Sequence, residues 1–398
     1  MAVKVAVVAE YYPRAADPVL GVWAHRQALA ARAAGAEVRV LVLHRPVPPR
    51  AALRSRDLRA LTTPLRQPLQ ADLDGLRVAY VPFLAPPRPR TYGSWGAWAA
   101  PTLAAALRRL RRTFPFDLVH AHYAAPAGDA VRRARPGKPV VVSVHGGDVL
   151  SVAADSAAGA AAVRAGLGHA RLVLANSAGI AQRCRALGAG DVRVVHLGTD
   201  LPPAPPDRRP DTLITVAHLV ARKRHADVLR ALWLLRDRHP ELVYDVVGDG
   251  PERPALERLV EELGLAGRVR FHGELSPDAA RAAAQAAGVF VMPSVDEAFG
   301  VAYVEAMAGG VPALGCRGEP GPEEIGALGE GLRRVPPGDP EALAAEIDAI
   351  VGEPAWRREL GDAARATVEE HFTWERCGAA TVEAYEAALA PAPGPAVR

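Results

Sequence analysis

The sequence predicts an α/β protein with two doubly wound parallel sheets, and three observations support this prediction. Short apolar runs alternate with helix-like segments along the first half of the chain, which is the pattern of parallel strands joined by crossover helices. A proline-dense stretch, LPPAPPDRRPDT (Leu201–Thr212), then interrupts the alternation. The same alternation starts again after it. At 398 residues, the chain is long enough for two domains that each have a core.

In the first half, each short apolar run is expected to form a strand: Val3–Ala9, Glu37–Leu43, Leu76–Val81, Leu118–Ala121, Val140–Val144, Leu172–Ala175 and Val192–His196. Helices are expected between these strands, for example at Ala24–Ala34, Ala97–Arg112 and Ser177–Leu187. Residues 44–75 and 82–96 are rich in proline and arginine and are predicted to be long surface loops. We interpret residues 1–200 as an N-terminal Rossmann-like domain.

The second half repeats this plan, with strands predicted at Leu213–Ala217, Val243–Val247, Val269–Phe271, Val289–Met292, Val311–Leu314 and Leu332–Val335. Its predicted helices include Ala226–Arg238, Pro254–Leu263 and Leu343–Val351, and two more helical segments follow at Pro354–Glu370 and Thr373–Leu389. We therefore predict a linker at residues 201–212 and a second Rossmann-like domain at residues 213–372. Ligands of such sheets bind at the carboxyl ends of the strands.

Bulk composition argues against several classes of protein. No window approaches 18 uncharged apolar residues, so a membrane span is not expected. The opening segment MAVKVAVVAE is too short for a signal-peptide core and is better interpreted as a first buried strand. The three cysteines lie far apart and lack metal-ligand spacing, which favours a reducing, cytoplasmic setting.

The net charge of +4 conceals a large difference between the two halves. Residues 1–200 contain 27 lysines and arginines against 12 acidic residues, a balance of +15, and the remaining residues carry −11. A basic half of this kind favours an anionic acceptor, an acidic membrane surface or nucleic acid as its partner. The alternative is that the arginines simply lie on solvated helix faces.

The stretch from Val289 to Gly315 is predicted to form strand, loop, helix, turn and strand, with the helix beginning near Gly300 and ending at Gly309. Glu297 lies in the loop and Glu305 in the helix, and a fully helical interval would separate them by about 12 Å. Carboxylates that cleave a glycosidic bond lie about 5 to 9.5 Å apart, so this pair is better placed to hold opposite ends of one long ligand. The helix-start amides are expected to point at an anion, at Phe299, Gly300 and Val301.

Two further motifs of the second half lie at predicted strand ends. In GDGP, Gly248 and Gly250 allow a tight turn and a close approach to an anionic ligand group, although a plain strand-to-helix turn explains them as well. Arg222 and Lys223 follow the first strand of this half, where basic groups are expected to hold a diphosphate. His218 lies beside them and either donates to a phosphate or caps a turn.

The first half has histidines and glycines at predicted strand ends. HGGD places His145 beside two glycines, so that its imidazole can reach a ligand, with Asp148 in the same loop. The alternative is an imidazole that only bonds a backbone carbonyl. His122 and Tyr123 follow another strand, and no other residues complete a metal site around the His-x-His pattern there. Gly21 opens the helix after the first strand, where an anion or a sugar can bind.

Together these motifs resemble the family 4 retaining glycosyltransferases of GT-B fold, and are similar to members that build cell-envelope polysaccharides and glycolipids. The most specific part is EAFGVAYVE, which matches the E-x7-E pattern of the family, followed by AMAGGVP as a variant of A-x-A-G-x-P. HGGD, HAHYAAPAG, ARK, GDGP and HFTWERC support it, and the resemblance runs from Val3 to the last helix. It implies two Rossmann-like domains facing across a cleft, with residues 373–390 packing back onto the first domain.

The resemblance implies a metal-independent transfer of a sugar from a nucleoside diphosphate sugar to a hydroxyl acceptor, with retention at the anomeric carbon. Lys223 would neutralise the leaving diphosphate, Glu297 would bond the sugar hydroxyls and Glu305 the ribose hydroxyls. His145 would lie beside the donor sugar near the reacting carbon. The other expected donor contacts are Phe299, Gly300, Val301, Gly248, Gly250, His218 and Arg222, and those of the acceptor or phosphate loop are Gly21, Tyr123, His122 and Asp148.

The sequence departs from the family pattern at two places. His218 stands where the family usually has arginine, and a neutral imidazole is a weaker diphosphate partner than a guanidinium. Arg222 or Arg224 is therefore expected to supply the missing charge. Gly21 stands alone where the family usually has a pair of glycines. Donor hydrolysis or a changed donor preference are the expected consequences.

The expected partners are a nucleoside diphosphate sugar and a hydroxyl acceptor, lipid-linked or anionic, with peripheral contact to acidic lipid at the inner face of the plasma membrane. No metal, other cofactor or nucleic acid is expected. Two other functions stay open: a sugar-nucleotide 2-epimerase of the same fold, and a basic nucleic-acid-binding protein, which leaves E-x7-E unexplained. A nicotinamide dehydrogenase is disfavoured because no GxGxxG follows the first strand.

Overall fold

The computed structural model describes residues 2–48, 61–88, 91–204 and 206–391. The chain divides into two compact units: unit 1 consists of Met1–His196 with Trp374–Arg398, and unit 2 of Leu197–Thr373. Each unit is built on one largely parallel sheet with helices interleaved between its strands, so the predicted class of two doubly wound α/β domains is confirmed. Residues 49–60 and 89–90 of the two predicted loops, and residue 205 of the predicted linker, lie outside the described residues.

Within the described residues, the sheet of unit 1 has eight strands in the order β3-β4-β2-β1-β5-β6-β7-β8. All neighbours pair in parallel except β3 and β4, which form an antiparallel pair. The strands are β1 (Lys4–Ala9), β2 (Glu37–His44), β3 (Gln70–Leu73), β4 (Leu76–Pro82), β5 (Leu118–His122), β6 (Val140–Val144), β7 (Leu172–Ala175) and β8 (Val192–Val194). The central strands β5, β6 and β7 are buried along their whole length, as expected of strands covered on both faces.

The helices that follow these strands are α1 (Val22–Ala33), α2 (Trp95–Thr113), α3 (Asp129–Ala134), α4 (Ala157–His169) and α5 (Ala178–Ala186). Shorter helical turns lie at Thr63–Arg66, Tyr92–Ser94, Ala124–Gly128, Asp148–Val152 and Ala153–Asp155. Serine side chains cap two of the helices: Ser156 accepts from the amide of Gly159, and Ser177 from that of Ile180. These caps fix where α4 and α5 begin.

Unit 2 has a six-stranded parallel sheet in the order β11-β10-β9-β12-β13-β14, counted over the described residues. Its strands are β9 (Arg209–Val216), β10 (Val243–Val247), β11 (Val269–Gly273), β12 (Ala287–Val291), β13 (Ala313–Cys316) and β14 (Leu332–Val335). Its helices are α6 (His225–Leu234), α7 (Arg253–Glu262), α8 (Pro277–Ala286), α9 (Val301–Ala308), α10 (Pro320–Leu328), α11 (Pro340–Gly352) and α12 (Pro354–His371), with a 3-10 turn at Ala221–Lys223. Proline near the first position starts several of these helices, where its missing N–H leaves no acceptor unpaired.

The last helix, α13 (Trp374–Leu389), belongs to unit 1. Its buried face, which includes Cys377 and Tyr385, joins the same apolar cluster as β1, β2 and α1. The approach to α1 is close, because a Cβ on Gly378 would lie 2.3 Å from the carbonyl oxygen of Ala30. A small residue at that position is what allows α13 to pack against α1.

Two predicted features need correction. The proposed linker ran to Thr212, but β9 already begins at Arg209, because that segment pairs with both β10 and β12 and Arg209 forms an ion pair with Asp245 at 2.6 Å. The predicted loop of residues 44–75 contains β3, an edge strand whose side chains are largely solvent-accessible. Prolines and polar residues concealed both strands in the sequence.

Candidate active site

Unit 2 brings two predicted residues, Lys223 and Glu297, into direct contact. Lys223 ends the turn after β9, and Glu297 lies in the loop after β12, so both follow the carboxyl ends of neighbouring parallel strands. Both side chains are buried, and the Lys223 ammonium donates to Oε2 of Glu297. The Lys223 Nζ also lies 3.5 Å from the Met292 sulfur. A charge pair taken out of water in this way is stable only while both partners are present.

Further contacts hold the Glu297 carboxylate in its charged form. The Ser294 hydroxyl donates to Oε2 at 2.8 Å, and Nη1 of Arg222 lies 3.6 Å from the same oxygen. Burial opposes ionisation, but the Lys223 ammonium and these neighbours outweigh it, so the pKa of Glu297 is lowered. The site therefore offers an ionised carboxylate and an ammonium group side by side.

The backbone of Glu297 is fixed by the start of α10. Its amide donates to Oε2 of Glu319 at 2.9 Å, and its carbonyl accepts from the amide of Gly321 at 3.0 Å. Burial raises the pKa of Glu319. Ser294 and Glu319 cannot be identified from the sequence. Neither belongs to a periodic apolar pattern, and their roles depend on a contact between separate loops.

Helix α9 begins and ends where the sequence predicts. Gly300 precedes it with φ of 83°, a left-handed conformation, and Gly309 caps its end. Since Val301 is the first helical residue, the interval from Glu297 to Glu305 is only half helical, and the 12 Å estimate for a fully helical interval does not apply. Glu305 lies in the second turn and is half-buried.

The three predicted amides of this stretch lie at the beginning of α9, where the first N–H groups of a helix have no intrahelical acceptor. The Phe299 side chain is buried, and its ring centroid is 5.5 Å from that of Phe372, so this side chain belongs to the packing beneath the helix start. Tyr303 donates its hydroxyl hydrogen to the carbonyl of Met292, which ties α9 to the end of β12. The result is a helix N-terminus anchored beside the Lys223–Glu297 pair.

Gly248 and Gly250 allow a close crossing of two chain segments. A Cβ on Gly248 would lie 2.1 Å from the carbonyl oxygen of Ala217, and one on Gly250 would lie 2.4 Å from that of Leu219. The amide of Leu219 donates to the carbonyl of Asp249 at 3.0 Å within this crossing. The contact accounts for both glycines by packing, which is the alternative interpretation that the sequence left open.

The basic residues after β9 differ in their surroundings. His218 and Arg222 are exposed, and Arg222 lies on the side of the Glu297 carboxylate. Arg224 instead donates through Nε to Asp227 at 2.6 Å. Of the two arginines expected to compensate for His218, Arg222 is therefore the one placed beside the site.

Unit 1 gathers a cluster of histidines at the carboxyl ends of β5 and β6. The rings of His122 and His145 stack at 8° with centroids 5.2 Å apart, and Nδ1 of His122 lies 3.0 Å from Nε2 of His145. Among the described residues, Nδ1 of His145 and Nε2 of His122 have no hydrogen-bond partner. Burial lowers the pKa of His145 to about 3, so the ring is neutral and one proton is shared between the two facing nitrogens.

His120 lies against His122 and is held by two hydroxyl groups. Its Nδ1 lies 2.7 Å from the hydroxyl of Tyr385 on α13, and its Nε2 lies 2.8 Å from the hydroxyl of Ser143 on β6. Its ring centroid is 4.4 Å from that of His122. Burial, with a smaller effect of His145, lowers the pKa of His120 to about 3. A buried chain of polar groups thus runs from the last helix to His145.

Aromatic residues surround His145 on the other side. The Tyr123 ring lies 5.4 Å from the His145 ring and 5.0 Å from the Tyr11 ring. Gly21, with φ of 65°, passes so close to Tyr11 that a Cβ would lie 2.2 Å from the Tyr11 carbonyl carbon. Gly21 is therefore required by the Tyr11 loop. Tyr11 itself was missed in the sequence analysis, because an aromatic residue after a strand does not by itself indicate a site.

Asp148 is buried within the loop that carries His145. Its carboxylate is fully buried and accepts from the amides of Ala124 at 2.9 Å and Gly146 at 3.2 Å. Burial raises its pKa to about 6, although the backbone donors oppose the rise. Asp148 thus holds the loop that carries His145, and its expected contact with an acceptor or phosphate stays a prediction.

Two broader observations bear on ligands and location. Across residues 2–48, 61–88, 91–204 and 206–391, no three histidine, cysteine or carboxylate side chains cluster closely enough to hold a metal ion. Within the same ranges, no helix combines the length and the hydropathy that a membrane span requires.

Comparison with known protein families gives two matches that together cover most of the chain. Residues 20–202 match Glycosyltransferase Family 4, and residues 201–367 match Glycosyl transferases group 1. The boundary between the two matches falls close to the boundary between the two units.

Individual relatives carry related names. The D-inositol 3-phosphate glycosyltransferase of Streptomyces scabiei is 30% identical over 341 residues, which cover 75% of this chain and 72% of that protein. The MMP alpha-(1->4)-mannosyltransferase of Mycolicibacterium hassiacum is 34% identical over 211 residues, covering 52% of this chain and 50% of that protein. The chain thus matches about half the length of the mannosyltransferase.

Solved structures share the fold along nearly the whole chain. Sucrose-phosphate synthase from Thermosynechococcus elongatus has a TM-score of 0.75 at 22% identity, covering 97% of this chain and 98% of that one. Anabaena Alr3699/HepE in complex with UDP-glucose has a TM-score of 0.70 at 18% identity, covering 96% and 99%. At these identities the likeness concerns the fold alone, and that fold is GT-B.

Proposed function

This chain belongs to the glycosyltransferases in which a family 4 domain precedes a group 1 domain, and from that premise we propose that it transfers a hexose from a nucleoside diphosphate sugar to a hydroxyl acceptor with retention of anomeric configuration. The observation that carries the proposal is the buried Lys223–Glu297 pair beside the N-terminus of α9. An ammonium group and the helix-start amides suit a diphosphate, and a carboxylate suits sugar hydroxyls. The HepE complex with UDP-glucose supports this donor class.

The proposed reaction is a front-face displacement. The bond between the anomeric carbon and the diphosphate oxygen breaks, the acceptor oxygen bonds to the same face of that carbon, and the departing phosphate oxygen takes the acceptor's proton. Negative charge grows on the diphosphate, where Lys223 and the amides of Gly300 and Val301 would stabilise it. Preorganised donors of this kind contribute about 2.7 to 4 kcal/mol each to the rate.

Several other predicted residues have a proposed role in their own unit. Glu297 orients the sugar rather than attacking it, since its carboxylate is held as an acceptor by Lys223 and Ser294. Glu305 bonds the ribose hydroxyls, and Arg222 supplies the charge that His218 lacks. In unit 1, His145 is proposed to lie beside the donor sugar near the reacting carbon, and Tyr123 is proposed to contact the acceptor. The polar group of His145 is Nδ1, which has no hydrogen-bond partner among the described residues. No metal takes part in this scheme.

The basic character of residues 1–200 supports peripheral contact with acidic lipid as a further part of the proposal. A cytoplasmic location is in keeping with three free, buried cysteines. Nucleic acid is not among the proposed partners.

The test is release of nucleoside diphosphate from a panel of nucleoside diphosphate sugars, with water as the acceptor and thermal stabilisation as the binding readout. Lys223→Ala should lower the release rate by about 10²–10³-fold, the effect of losing one preorganised donor. Lys138→Ala removes a half-buried lysine of unit 1 and should leave the rate unchanged. Lys223→Ala leaves the buried Glu297 carboxylate without its charge partner, which destabilises the fold. The double variant Lys223→Met, Glu297→Gln removes both charges and serves as a folded control.

A protein that no nucleoside diphosphate or its sugar stabilises would overturn the proposal. So would a Lys223→Ala variant that is folded and releases the nucleotide at the rate of the unchanged protein.

A further inference from the structure

Unit 1 contains a cavity of about 570 Å³ that none of the predicted site residues lines. It lies at the carboxyl ends of β1 and β2, which continue into Glu10 and Arg45 respectively. Further parts of its wall come from the turn at Thr63–Arg66 and from Pro87, Arg88 and Trp95. Its volume falls in the range of about 300 to 1,000 Å³ that is usual for small-molecule sites.

One arginine of the wall is already neutralised. Nη2 of Arg88 donates to both oxygens of Glu10, at 3.1 and 3.0 Å, and Nη1 donates to the hydroxyl of Tyr11 at 2.9 Å. The Arg88 guanidinium also lies over the Tyr92 ring, 3.8 Å from its centroid. These contacts make Arg88 and Glu10 a balanced, rigid part of the wall.

Arg45 is the second arginine of the wall. Its Nε donates to the carbonyl of Ala85 at 2.8 Å and its guanidinium lies 5.3 Å from the centroid of the Trp95 ring, so its position is fixed. Among the described residues, no carboxylate lies within ion-pair distance of Arg45. Burial and the neighbouring Arg88 charge lower its pKa. A half-buried cation without a counter-charge is unfavourable, and an anionic ligand would supply the missing partner.

Two more groups of the wall have unused hydrogen-bonding capacity. Nη2 of Arg14 donates to the carbonyls of Glu10 and Leu43, at 2.8 and 3.2 Å, and lies 3.8 Å from Oε1 of Glu10. The buried Nε of Arg14 has no partner among the described residues. His44 is buried and bonds the carbonyl of Pro64 through Nε2 at 2.9 Å, so Nε2 carries the proton. Its Nδ1, also unpartnered in the described part of the chain, is then a hydrogen-bond acceptor.

Asp17 also lines the cavity, so three arginines face two carboxylates and the formal charge of the wall is +1. We propose that this cavity binds an oxyanion of the acceptor, a phosphate ester or a carboxylate, with Arg45 and Arg14 as its charge partners and His44 as the acceptor for a neighbouring hydroxyl. This assignment rests on the proposed function, because it takes the occupant to be the sugar acceptor. Planar guanidinium groups bind such anions with two parallel hydrogen bonds.

The cavity is connected to the histidine cluster through Tyr11. Tyr11 lines the cavity, its ring lies 5.0 Å from that of Tyr123, and the Tyr123 ring lies 5.4 Å from that of His145. An acceptor anchored by its anionic group at Arg45 can therefore extend its hydroxyl end along the tyrosines toward His145. The acceptor class is an anionic polyol, either a soluble phosphorylated or carboxylated compound or a lipid headgroup.

Calorimetric titration of the full chain with inorganic phosphate at constant ionic strength tests the anion site. Arg45→Gln should weaken phosphate binding about tenfold or more, because it removes a charge-assisted contact. Arg109→Gln makes the same change on the exposed face of α2 and should bind as the unchanged protein does. Arg45→Lys keeps the charge and should recover part of the affinity, which guards against a folding defect. Equal phosphate affinity in Arg45→Gln and the unchanged protein would overturn the proposal.

The same variants separate this inference from the proposed function. Arg45→Gln should still release nucleoside diphosphate from the donor sugar with water as acceptor, since that reaction needs no acceptor anion. If neither the unchanged protein nor the Arg45 variants release nucleotide, while phosphate binding depends on Arg45, the proposed function is wrong and the anion site stands. If the protein releases nucleotide but Arg45→Gln binds phosphate as well as the unchanged protein does, the anion site is wrong and the proposed function stands.

Vesicles identify the source of the anion. Arg45-dependent binding to phosphatidylcholine vesicles that contain phosphatidic acid, but not to phosphatidylcholine alone, supports a lipid headgroup. Phosphate binding without any vesicle binding supports a soluble acceptor.

Discussion

Glu297 shows how single residues in this protein are defined by their neighbours. The carboxylate is ionised because Lys223, Ser294 and Arg222 surround it, and its backbone is held by the start of α10. The sequence predicts Glu297 and Lys223 as partners of one ligand, and the structure places them in contact with each other. They satisfy one another in this structure, so under the proposed function a sugar donor has to compete for the Lys223 ammonium.

The buried histidines of unit 1 make its stability depend on pH. The pKa of His120 is about 3 in the folded chain, against an ordinary value of 6.5. As the pH falls, this histidine therefore becomes protonated in the unfolded chain before it does so in the folded chain. The stabilisation is complete above pH 6.5 and is lost progressively toward pH 3. Between pH 8 and pH 5, His120 alone should lower the free energy of unfolding by about 2 kcal/mol.

His120→Gln should abolish that part of the pH dependence, while its amide can still bond Tyr385 and Ser143. The measurement is urea unfolding at both pH values, following the transition that the substitution shifts. Other groups that face His120, His122 and His145 among them, remain in both proteins and cancel in the comparison. An equal loss of stability on acidification in the variant and the unchanged protein would contradict a buried neutral His120.

At the residue scale, sequence reasoning found the groups that bear charge or a motif and missed those that position them. Ser294, Glu319 and Tyr11 act through contacts between separate loops, which no local pattern records. Asp148 shows a different difficulty: a carboxylate at a strand end suggests a ligand contact, and only the structure shows that this carboxylate accepts from two backbone amides.

Helix α9 is the element on which the proposed donor site depends, and Gly300 sets where this helix starts. A Cβ on Gly300 would lie 2.4 Å from the Tyr303 ring, whereas Gly318, with nearly the same φ of 82°, faces open space. Gly300→Ala and Gly318→Ala should both cost about 1 to 2 kcal/mol for the left-handed conformation. Only Gly300→Ala should cost more than this and also weaken nucleotide binding, because the helix start has to move.

Urea unfolding and nucleotide titration of the two glycine variants check this prediction. Equal destabilisation of the two, with unchanged nucleotide affinity in both, would show that Gly300 does not position the helix start.

Elements with a strong local signal were predictable and edge elements were not. The apolar run before Pro293 and the glycines on either side of α9 predict both ends of that helix to within a residue. Strand β3 and the start of β9 were missed, because exposed edge residues and prolines carry little apolar periodicity. Their pairing partners lie in other segments, and only the assembled sheet specifies them.

At the scale of the whole molecule, the sequence predicted two α/β domains and an unequal charge distribution. The alternation of strands and helices is enough for the first, since each domain repeats one plan. The charge balance states only that residues 1–200 are basic. The structure adds that three of those arginines, Arg14, Arg45 and Arg88, surround one cavity. Glu10 lies within ion-pair distance of two of them, Arg14 and Arg88, and no carboxylate of the described residues lies within that distance of Arg45.

The central claim is that this glycosyltransferase moves a sugar with retention, without a metal. It is tested most directly by proton NMR of the sugar first released or transferred from an α-linked nucleoside diphosphate hexose, with EDTA present throughout. The account predicts that the first-formed product has the α configuration and that EDTA does not slow its appearance. A β product, or a reaction that proceeds only after a divalent ion is added, would contradict it.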